Sequence, residues 1–395
     1  MITTTQVDAI LQNIYLDVIG NQIDSTTSPF LNVIEKSAQN IHQGQVKYPT
    51  RMGISGSVGC GAEVEPYPAS DNATILNFTC NLANIYGTLN ISDKALRCCQ
   101  NTPSDAVNLF QSEMQALIDS AKYNFNRMLF QNGSGVLARV VWQDAEFLGL
   151  DNVRNLAPGM VLDIYDDLWY KVPKAFTIVG VDYSDNSIIL DKSLEEDAVL
   201  GGYLFVRNSR DKELNGIEYI FTPTQADILY GVNTADYPYF KPAVTNAQEL
   251  TTDTIQETID LVEEKSGSLI NFIIASYDMR RKYLAHLRDI RSNVDYMNLD
   301  GGFKALSYNG VPIYADKFVP DSTMYFLNTN DYILAQLGDW DWVTGIDGHI
   351  LLPAEGSPYY VAHLVKYANL LCKRPFAQAK LTVAEPTAAE GADQE

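Results

Sequence analysis

The chain has 395 residues, 46% of them apolar and 19% charged, and a net charge of −21. That is the composition of a soluble globular protein with room for two or three packed units. The acidic balance argues against a protein that grips nucleic acid by its phosphates; it suits solubility alone, or a wall that must not adhere to nucleic acid. No apolar run approaches the roughly 18–20 residues that span a bilayer, and the first residues lack the basic head and apolar block of a signal peptide. The five cysteines (Cys60, Cys80, Cys98, Cys99 and Cys372) are odd in number and irregularly spaced. They form no disulfide framework and no zinc pattern, and read as thiols of a reducing compartment, with Cys60 and Cys80 the one pair that could join after release.

Residues 1–44 form a weakly patterned arm. Val7, Ile10, Leu11, Ile14 and Leu16 give a short amphipathic stretch, and Pro29, Phe30, Leu31 and Ile34 begin a second. With little apolar content, such an arm needs another surface to lie on, or else stays disordered. Residues 45–92 read as two long strands joined by an open loop. Val46 and Tyr48 alternate with polar neighbours going out, and Leu76, Phe78, Cys80 and Leu82 coming back. The phase then flips to Ile85, Leu89 and Ile91, which predicts a bulge or strong twist. The tip, Gly53 to Asn72, holds four glycines and two prolines and cannot form a core, so the ribbon is expected to lie on something else.

A long helix follows over 102–131. Thr102 suits the cap, Pro103 the first turn, and Asp105 the positive end. Val107, Phe110, Met114, Leu117, Ile118, Ala121, Phe125, Met128 and Leu129 make one apolar stripe that stops at Gly133. At 1.5 Å per residue it runs about 40 Å. Residues 137–214 switch to short β-type runs separated by Pro158-Gly159, Ser184-Asp185-Asn186 and Gly201-Gly202, the pattern of a small all-β module or barrel. Beyond it the reading is mixed: a strand at Ile217–Phe221, a helix capped by Thr252 and ended by Gly267, a buried strand from Leu269 to Ala275, and a helix capped by Ser276. Gly310–Tyr314 reads as part of a hairpin, Tyr325-Phe326-Leu327 as a strand, and Tyr359–Val383 as strand-like. The acidic end, 384–395, is expected to be disordered.

Catalytic spacing is absent: there is no P-loop, GxSxG, HExxH or paired CxxC, and the four histidines are scattered. The strongest hint of an enzyme is Asp339-Trp340-Asp341-Trp342, with Asp347 nearby, where two carboxylates beside aromatics could cleave a glycoside; a loop or contact segment is the alternative. The basic cluster Arg280, Arg281, Lys282, Arg288 and Arg291 could hold phosphate, face acidic surface on a neighbouring subunit, or face water.

The order of elements resembles the Hong Kong 97-type capsid fold of tailed-phage shells and encapsulins. The resemblance is carried by DNATILNFTCNLANIYGTLNIS, SDAVNLFQSEMQALIDSAKYNFNRMLFQNGSG, NFIIASYDMRRKYLAHL, YNGVPIYADKFVPDSTMYF and KRPFAQAKLTV. It implies an α+β fold with an N-terminal arm (1–44), an E-loop ribbon (45–92), a peripheral domain with the spine helix (93–136), an inserted β-domain (137–214), a peripheral continuation (215–250), an axial domain (251–350), closing strands (351–383) and a tail (384–395). It also implies a non-enzymatic protein that assembles as hexamers and pentamers into an icosahedral shell around double-stranded phage DNA, without sequence-specific binding, cofactor, metal or membrane. The shell would be a virion capsid made in the bacterial cytoplasm, with portal, scaffolding and decoration proteins as partners. Residues expected at contacts between subunits are Pro29, Phe30, Arg51, Glu63, Glu65, Tyr67, Arg280, Arg281, Lys282, Trp340 and Trp342. Some members weld subunits through a lysine on the E-loop; none lies between Met52 and Asp93 here, so no such weld is expected. The arm is too short for a cleaved scaffold, so scaffolding is expected from a separate protein. An encapsulin-like cargo compartment and a carbohydrate-active enzyme built on Asp339 and Asp341 stand as the alternatives.

Overall fold

The computed structural model describes residues 28–53, 57–61, 74–94, 103–194, 199–289, 296–298, 304–345, 347–354 and 356–384. The amphipathic stretch from Val7 to Leu16, the ribbon tip with Glu63, Glu65 and Tyr67, Cys98 and Cys99, the Thr102 cap, Arg291 and the tail from 385 lie outside the described residues, as do the side chains of Val107 and Phe110.

The chain opens with a short helix, α1 (Pro29–Val33), then β1 (Glu35–Ser37), β2 (Ile41–His42) and β3 (Gln45–Met52). β4 (Thr74–Asn81) returns along β3 in one unbroken antiparallel register, from Gln45↔Asn81 to Met52↔Thr74. The expected phase flip is a strand break at Leu82: the chain leaves the ribbon and enters β5 (Ala83–Ser92) in a different sheet. Phe78 and Cys80 are buried on β4, Ala83 and Leu89 on β5, so inward positions change parity across the break. The spine helix is α2 (Pro103–Leu129). Met114, Ile118, Phe125, Met128 and Leu129 of its stripe are buried, and Leu117 and Ala121 partly so. The helix lies against β5 at Gly87, where an added Cβ would stand 3.0 Å from Leu117 Cδ1.

Six strands then close into a barrel: β6 (Val136–Asp144), β7 (Phe147–Leu150), β8 (Val161–Tyr165), β9 (Phe176–Asp182), β10 (Ser187–Leu190) and β11 (Tyr203–Val206). Its core is its own, built from residues such as Leu148, Ile164, Phe176 and Leu204. Closure leaves no free edge. The barrel joins the body through a narrow neck. Gly133 and Gly135 leave the spine helix at φ +86 and +81, and a Cβ at Gly216 on the returning chain would stand 2.4 Å from the Met128 carbonyl oxygen. Beside the neck, Arg127 of α2 donates to both carboxylate oxygens of Glu213, at 2.9 and 2.5 Å, and both side chains are buried.

Past the neck, Ile217–Ile220 is a 3-10 turn rather than the expected strand. A three-residue step places Ile217 and Ile220 together in the core. It also leaves Glu218 to accept from Tyr325 Oη at 2.5 Å and Lys380 Nζ at 2.6 Å. A hairpin of β12 (Ile228–Leu229) and β13 (Val232–Asn233) follows, then β14 (Ala243–Ala247) and α3 (Thr252–Ser266). The cap of α3 is Thr251, one residue before the expected Thr252, in a reciprocal box with Thr254; Gly267 ends it at φ 63. β15 (Phe272–Ala275) leads to α4 (Tyr277–Asp289), with Ser276 Oγ accepting from the Met279 amide. Then come β16 (Tyr296–Asn298), β17 (Lys304–Tyr308), β18 (Val311–Ala315), β19 (Thr323–Leu327), β20 (Tyr332–Gln336), β21 (Asp341–Trp342), β22 (Leu352–Pro353), the long β23 (Tyr359–Cys372) and β24 (Ala379–Val383).

These strands form two main sheets. One is seven-stranded, in the order β14-β24-β19-β15-β18-β17-β16. One face of it packs on α3 and α4 through Ile273, Met324 and Phe326, and the other presents Phe272, Ile274 and Tyr325 to the main core. The second sheet is built on β23, which pairs with β5 over ten residues along one edge and with β22, β21 and β20 along the other. The division differs from the expected boundaries. Ala243–Ala247 belongs to the seven-stranded sheet, while residues 332–342 join the sheet of the spine helix instead of the axial unit. The chain crosses directly between the sheets twice, after β19 and after β23. Both crossings are tied by Asp331, which accepts from Arg374 Nε at 2.8 Å and Gln378 Nε2 at 3.3 Å.

The neck generates a stability prediction. Removing one partner of a buried ion pair strands the other charge, at a cost of about 3–5 kcal/mol. Glu213→Ala is expected to lower the unfolding free energy of the isolated subunit by that amount in urea titrations. The Arg127→Met/Glu213→Leu double variant should recover most of it. A loss under about 1 kcal/mol, typical of an exposed pair, would show that the neck does not depend on this contact.

Candidate assembly interfaces

The residues expected at subunit contacts do not gather in one place. Phe30 is fully buried, against Phe272 at 5.9 Å and Tyr332 at 5.2 Å between ring centroids. It plugs the seam between the two sheets, and Pro29 starts the helical turn that positions it. β1 adds a parallel strand to β20. The described end of the arm is therefore anchored on its own chain, and Phe30 offers no surface to a neighbour. Trp340 and Trp342 are corrected in the same way. Both are buried, with Trp340 edge-on to Phe125 at 6.1 Å. The segment follows strand alternation, tryptophans inward and aspartates outward.

Asp339 and Asp341 do not form an open pair of carboxylates. Asp339 Oδ1 accepts from Lys366 Nζ at 2.7 Å and from the Trp340 amide at 2.8 Å; Asp341 Oδ1 accepts from the Trp342 amide at 2.8 Å. Lys366 lies on the core-facing side of β23, 1% exposed, with its ammonium 5.5 Å from the Phe125 ring centroid and 5.6 Å from that of Trp340. Burial pushes the Asp339 carboxyl upward, but the Lys366 hydrogen bond and charge outweigh it and hold the group below its ordinary value. Histidines likewise take structural roles: His286 Nε2 accepts from the Thr252 amide at 3.2 Å, and His363 Nδ1 lies 3.2 Å from Thr88 Oγ1. Cys80 is buried, which lifts its thiol to about 12, whereas Cys60 is exposed; both are free.

Arg51 is exposed on the outer half of the ribbon. The base of that ribbon is not self-supporting, yet it rests on its own chain. Phe78 packs on Tyr230 at 5.5 Å and Phe240 at 5.4 Å, and the Thr79 amide donates to the Tyr230 carbonyl at 2.8 Å; in the outer half, the buried Thr50 Oγ1 still donates to the Lys373 carbonyl at 3.1 Å. The surface that the ribbon was expected to lie on is, for this base, its own chain. Farther out Ile75 is 63% exposed, and among the described residues β4 pairs only with β3.

Arg280 and Arg281 project from α4 into solvent, while Lys282 is half-buried, with Nζ 2.7 Å from Asp278 Oδ2 and donating to Ser322 Oγ at 3.0 Å. One further surface escaped the sequence reading. At the end of β8, Asp166 Oδ1 accepts from the Leu168 and Tyr170 amides and holds Trp169 at φ +68, stacked on Tyr203 at 4.6 Å. Arg210 lies 4.7 Å from the Tyr165 ring and 4.8 Å from that of Trp169. The run of apolar and aromatic residues after two aspartates, Asp166 and Asp167, was the only signal of it.

Among solved structures, the chain is similar to the cyanophage A-1(L) capsid asymmetric unit, at 10% identity over 91% of this chain and 93% of that one, with a TM-score of 0.56. It is also matched with the holo-SrpI encapsulin complex from Synechococcus elongatus (9% identity, 90% and 88% coverage, TM-score 0.49) and the capsid of Myoviridae phage XM1 (8%, 89% and 90%, 0.44). No protein-family model and no curated protein sequence matches it. The near-complete overlap with the cyanophage subunit, together with the ribbon, spine helix and two sheets described above, defines the class: this chain has the α+β Hong Kong 97-type capsid fold, with a barrel inserted after the spine helix.

The Lys366–Asp339 contact gives a pH prediction. Because the folded carboxyl lies below its ordinary value of 3.8, its contribution is fully present above that value and is lost as pH falls through the lower folded value. Asp339→Asn should therefore flatten the acid side of the stability–pH curve and leave its slope near neutrality unchanged. An acid limb identical to that of the parent chain would contradict the assignment.

Proposed function

We propose that this chain is a structural shell protein whose copies interlock as hexamers and pentamers into an icosahedral capsid around double-stranded phage DNA. The observation that carries the reading is the ribbon. Anchored at its base, where the short β2 pairs with the start of β3, it runs outward as two strands with an exposed isoleucine, and among the described residues no third strand pairs with that outer part. A lone hairpin is marginal in water, so an element of this length makes physical sense when another copy covers it. The net charge of −21 suits a container that holds a polyanion without adsorbing it. With no lysine between Met52 and Asp93, the tip and return strand of this E-loop supply none for a covalent weld. Portal, scaffolding and decoration proteins are the partners proposed for such a shell.

Negative-stain electron microscopy and sedimentation of the expressed protein test the proposal. Closed shells, or rings of five and six copies, are the expected products. A species that remains monomeric across concentration, salt and molecular crowding conditions would overturn it.

A further inference from the structure

The two helices that cover the outer face of the seven-stranded sheet carry opposite charge. α3 has five acids and one base along Thr252–Ser266. Its apolar stripe of Ile255, Ile259 and Val262 is buried, which turns Asp253, Glu257, Asp260 and Glu264 to solvent. Among the described residues no ion pair engages these four carboxylates. Gln256 donates to Asp260 Oδ1 at 2.6 Å, and the one lysine, Lys265, donates to the Lys241 carbonyl instead. α4 buries Met279, Tyr283 and Leu287 and presents Arg280, Arg281 and Arg288. Arg281 lies 3.5 Å from Asp278 of its own helix, and Arg280 rests over the Tyr277 ring at 5.0 Å. The acids of α3 and the arginines of α4 form no ion pair with one another; the described hydrogen bond between the helices joins their ends, from the Thr252 amide to His286 Nε2. Each face also exposes apolar surface: Leu261 (44%) on α3, Leu269 (72%) just past its end, and Tyr277 (44%) on α4.

We propose that the acidic face of α3 docks on the basic face of α4 in a second copy of this chain. The inference rests on the shell reading above and deepens it by naming one contact. Complementary potentials orient the approach, while Leu261, Leu269 and Tyr277 supply the water-excluded centre that charge alone does not. Because the two faces are different patches, the contact is heterologous. Each copy keeps one face of each kind available, so the contact repeats and closes into a ring when the rotation allows. A like-charged pairing of two α3 or two α4 faces is disfavoured by repulsion, which fixes the direction of the ring.

Charge reversal in the full chain tests this. The α3 variant Glu257→Arg/Glu264→Arg and the α4 variant Arg280→Glu/Arg281→Glu should each fold, as judged by circular dichroism and melting of the subunit. Each should lose ring and shell assembly at least tenfold in yield. Combining all four substitutions in one chain should restore assembly. Mixing the two variants should also restore it, in rings of even copy number alone, because the copies must alternate. Folded single-helix variants that assemble like the parent would overturn the docking while leaving the shell reading intact. A four-fold variant that folds and still fails to assemble would do the same. If reversal on α4 spares assembly but removes retained DNA, the arginines serve nucleic acid and the docking is wrong. A parent chain that never assembles removes the shell reading, and this contact with it.

Discussion

One strand holds the molecule together. β23 runs for fourteen residues, from Tyr359 to Cys372, through the centre of its sheet. Backbone groups buried at its centre must be paired, and the chain meets that demand with segments from far apart in sequence: β5, from the end of the ribbon, and β20, β21 and β22, from the crossings out of the other sheet. Its inward side chains set the position of the spine helix, with Ala362, Leu364, Ala368 and Leu370 buried beneath it and Lys366 reaching past Phe125 to Asp339. Asn369 extends the same control to two further modules. Its Nδ2 donates to the Asn81 carbonyl at 2.6 Å, and its Oδ1 accepts from the Asn215 amide at 2.8 Å. Ribbon base, barrel neck and central sheet thus share one buried side chain.

This arrangement separates what is fixed within a subunit from what is left for other surfaces. The body is closed on itself. α1 plugs the seam with Phe30, the barrel has a complete core, and Asp331 clamps both crossings. Among the described residues, the outward faces of α3 and α4 and the exposed Ile75 side of the outer ribbon carry no packed partner segment. A self-contained body with partner-free outer faces is the division the proposed shell would use, since each copy would keep one shape while its contacts form.

Much of this was legible in the sequence, and what was missed has physical causes. The spine helix was readable because its stripe persists for many turns and Gly133 stops it. The ribbon's change of phase at Leu82 was readable because strand parity cannot shift without a break. The barrel was readable from its turns, though its strand order was not, because pairing partners leave no local pattern. Ile217–Phe221 misled because apolar residues at both two- and three-residue steps fit either a strand or a 3-10 turn, and the buried Glu218 pairs decided it. Trp340 and Trp342 suggested a contact segment because aromatics between aspartates look exposed when a covering residue such as Phe125, packed on Trp340, lies far back in the chain, and Phe30 because it begins a short apolar stretch whose partners, Phe272 and Tyr332, lie hundreds of residues on. The outward aspartates and inward tryptophans at 339–342 did show strand alternation. The expected boundary at 350 failed for a related reason: β20 and β21 follow the seven-stranded sheet in sequence yet find their partner in β23. The basic face of α4 stood out as a cluster, whereas the acidic face of α3 was hidden in a chain that is acidic throughout.

The central claim is that the body is ordered by its own contacts and the outer ribbon by those of other copies. Amide hydrogen exchange, compared between dissociated subunits and assembled particles, tests it directly. Slow exchange of β5 and β23 in both states is expected, with the outer halves of β3 and β4 exchanging fast in the subunit and becoming protected on assembly. Outer-ribbon amides equally protected in both states would contradict the account.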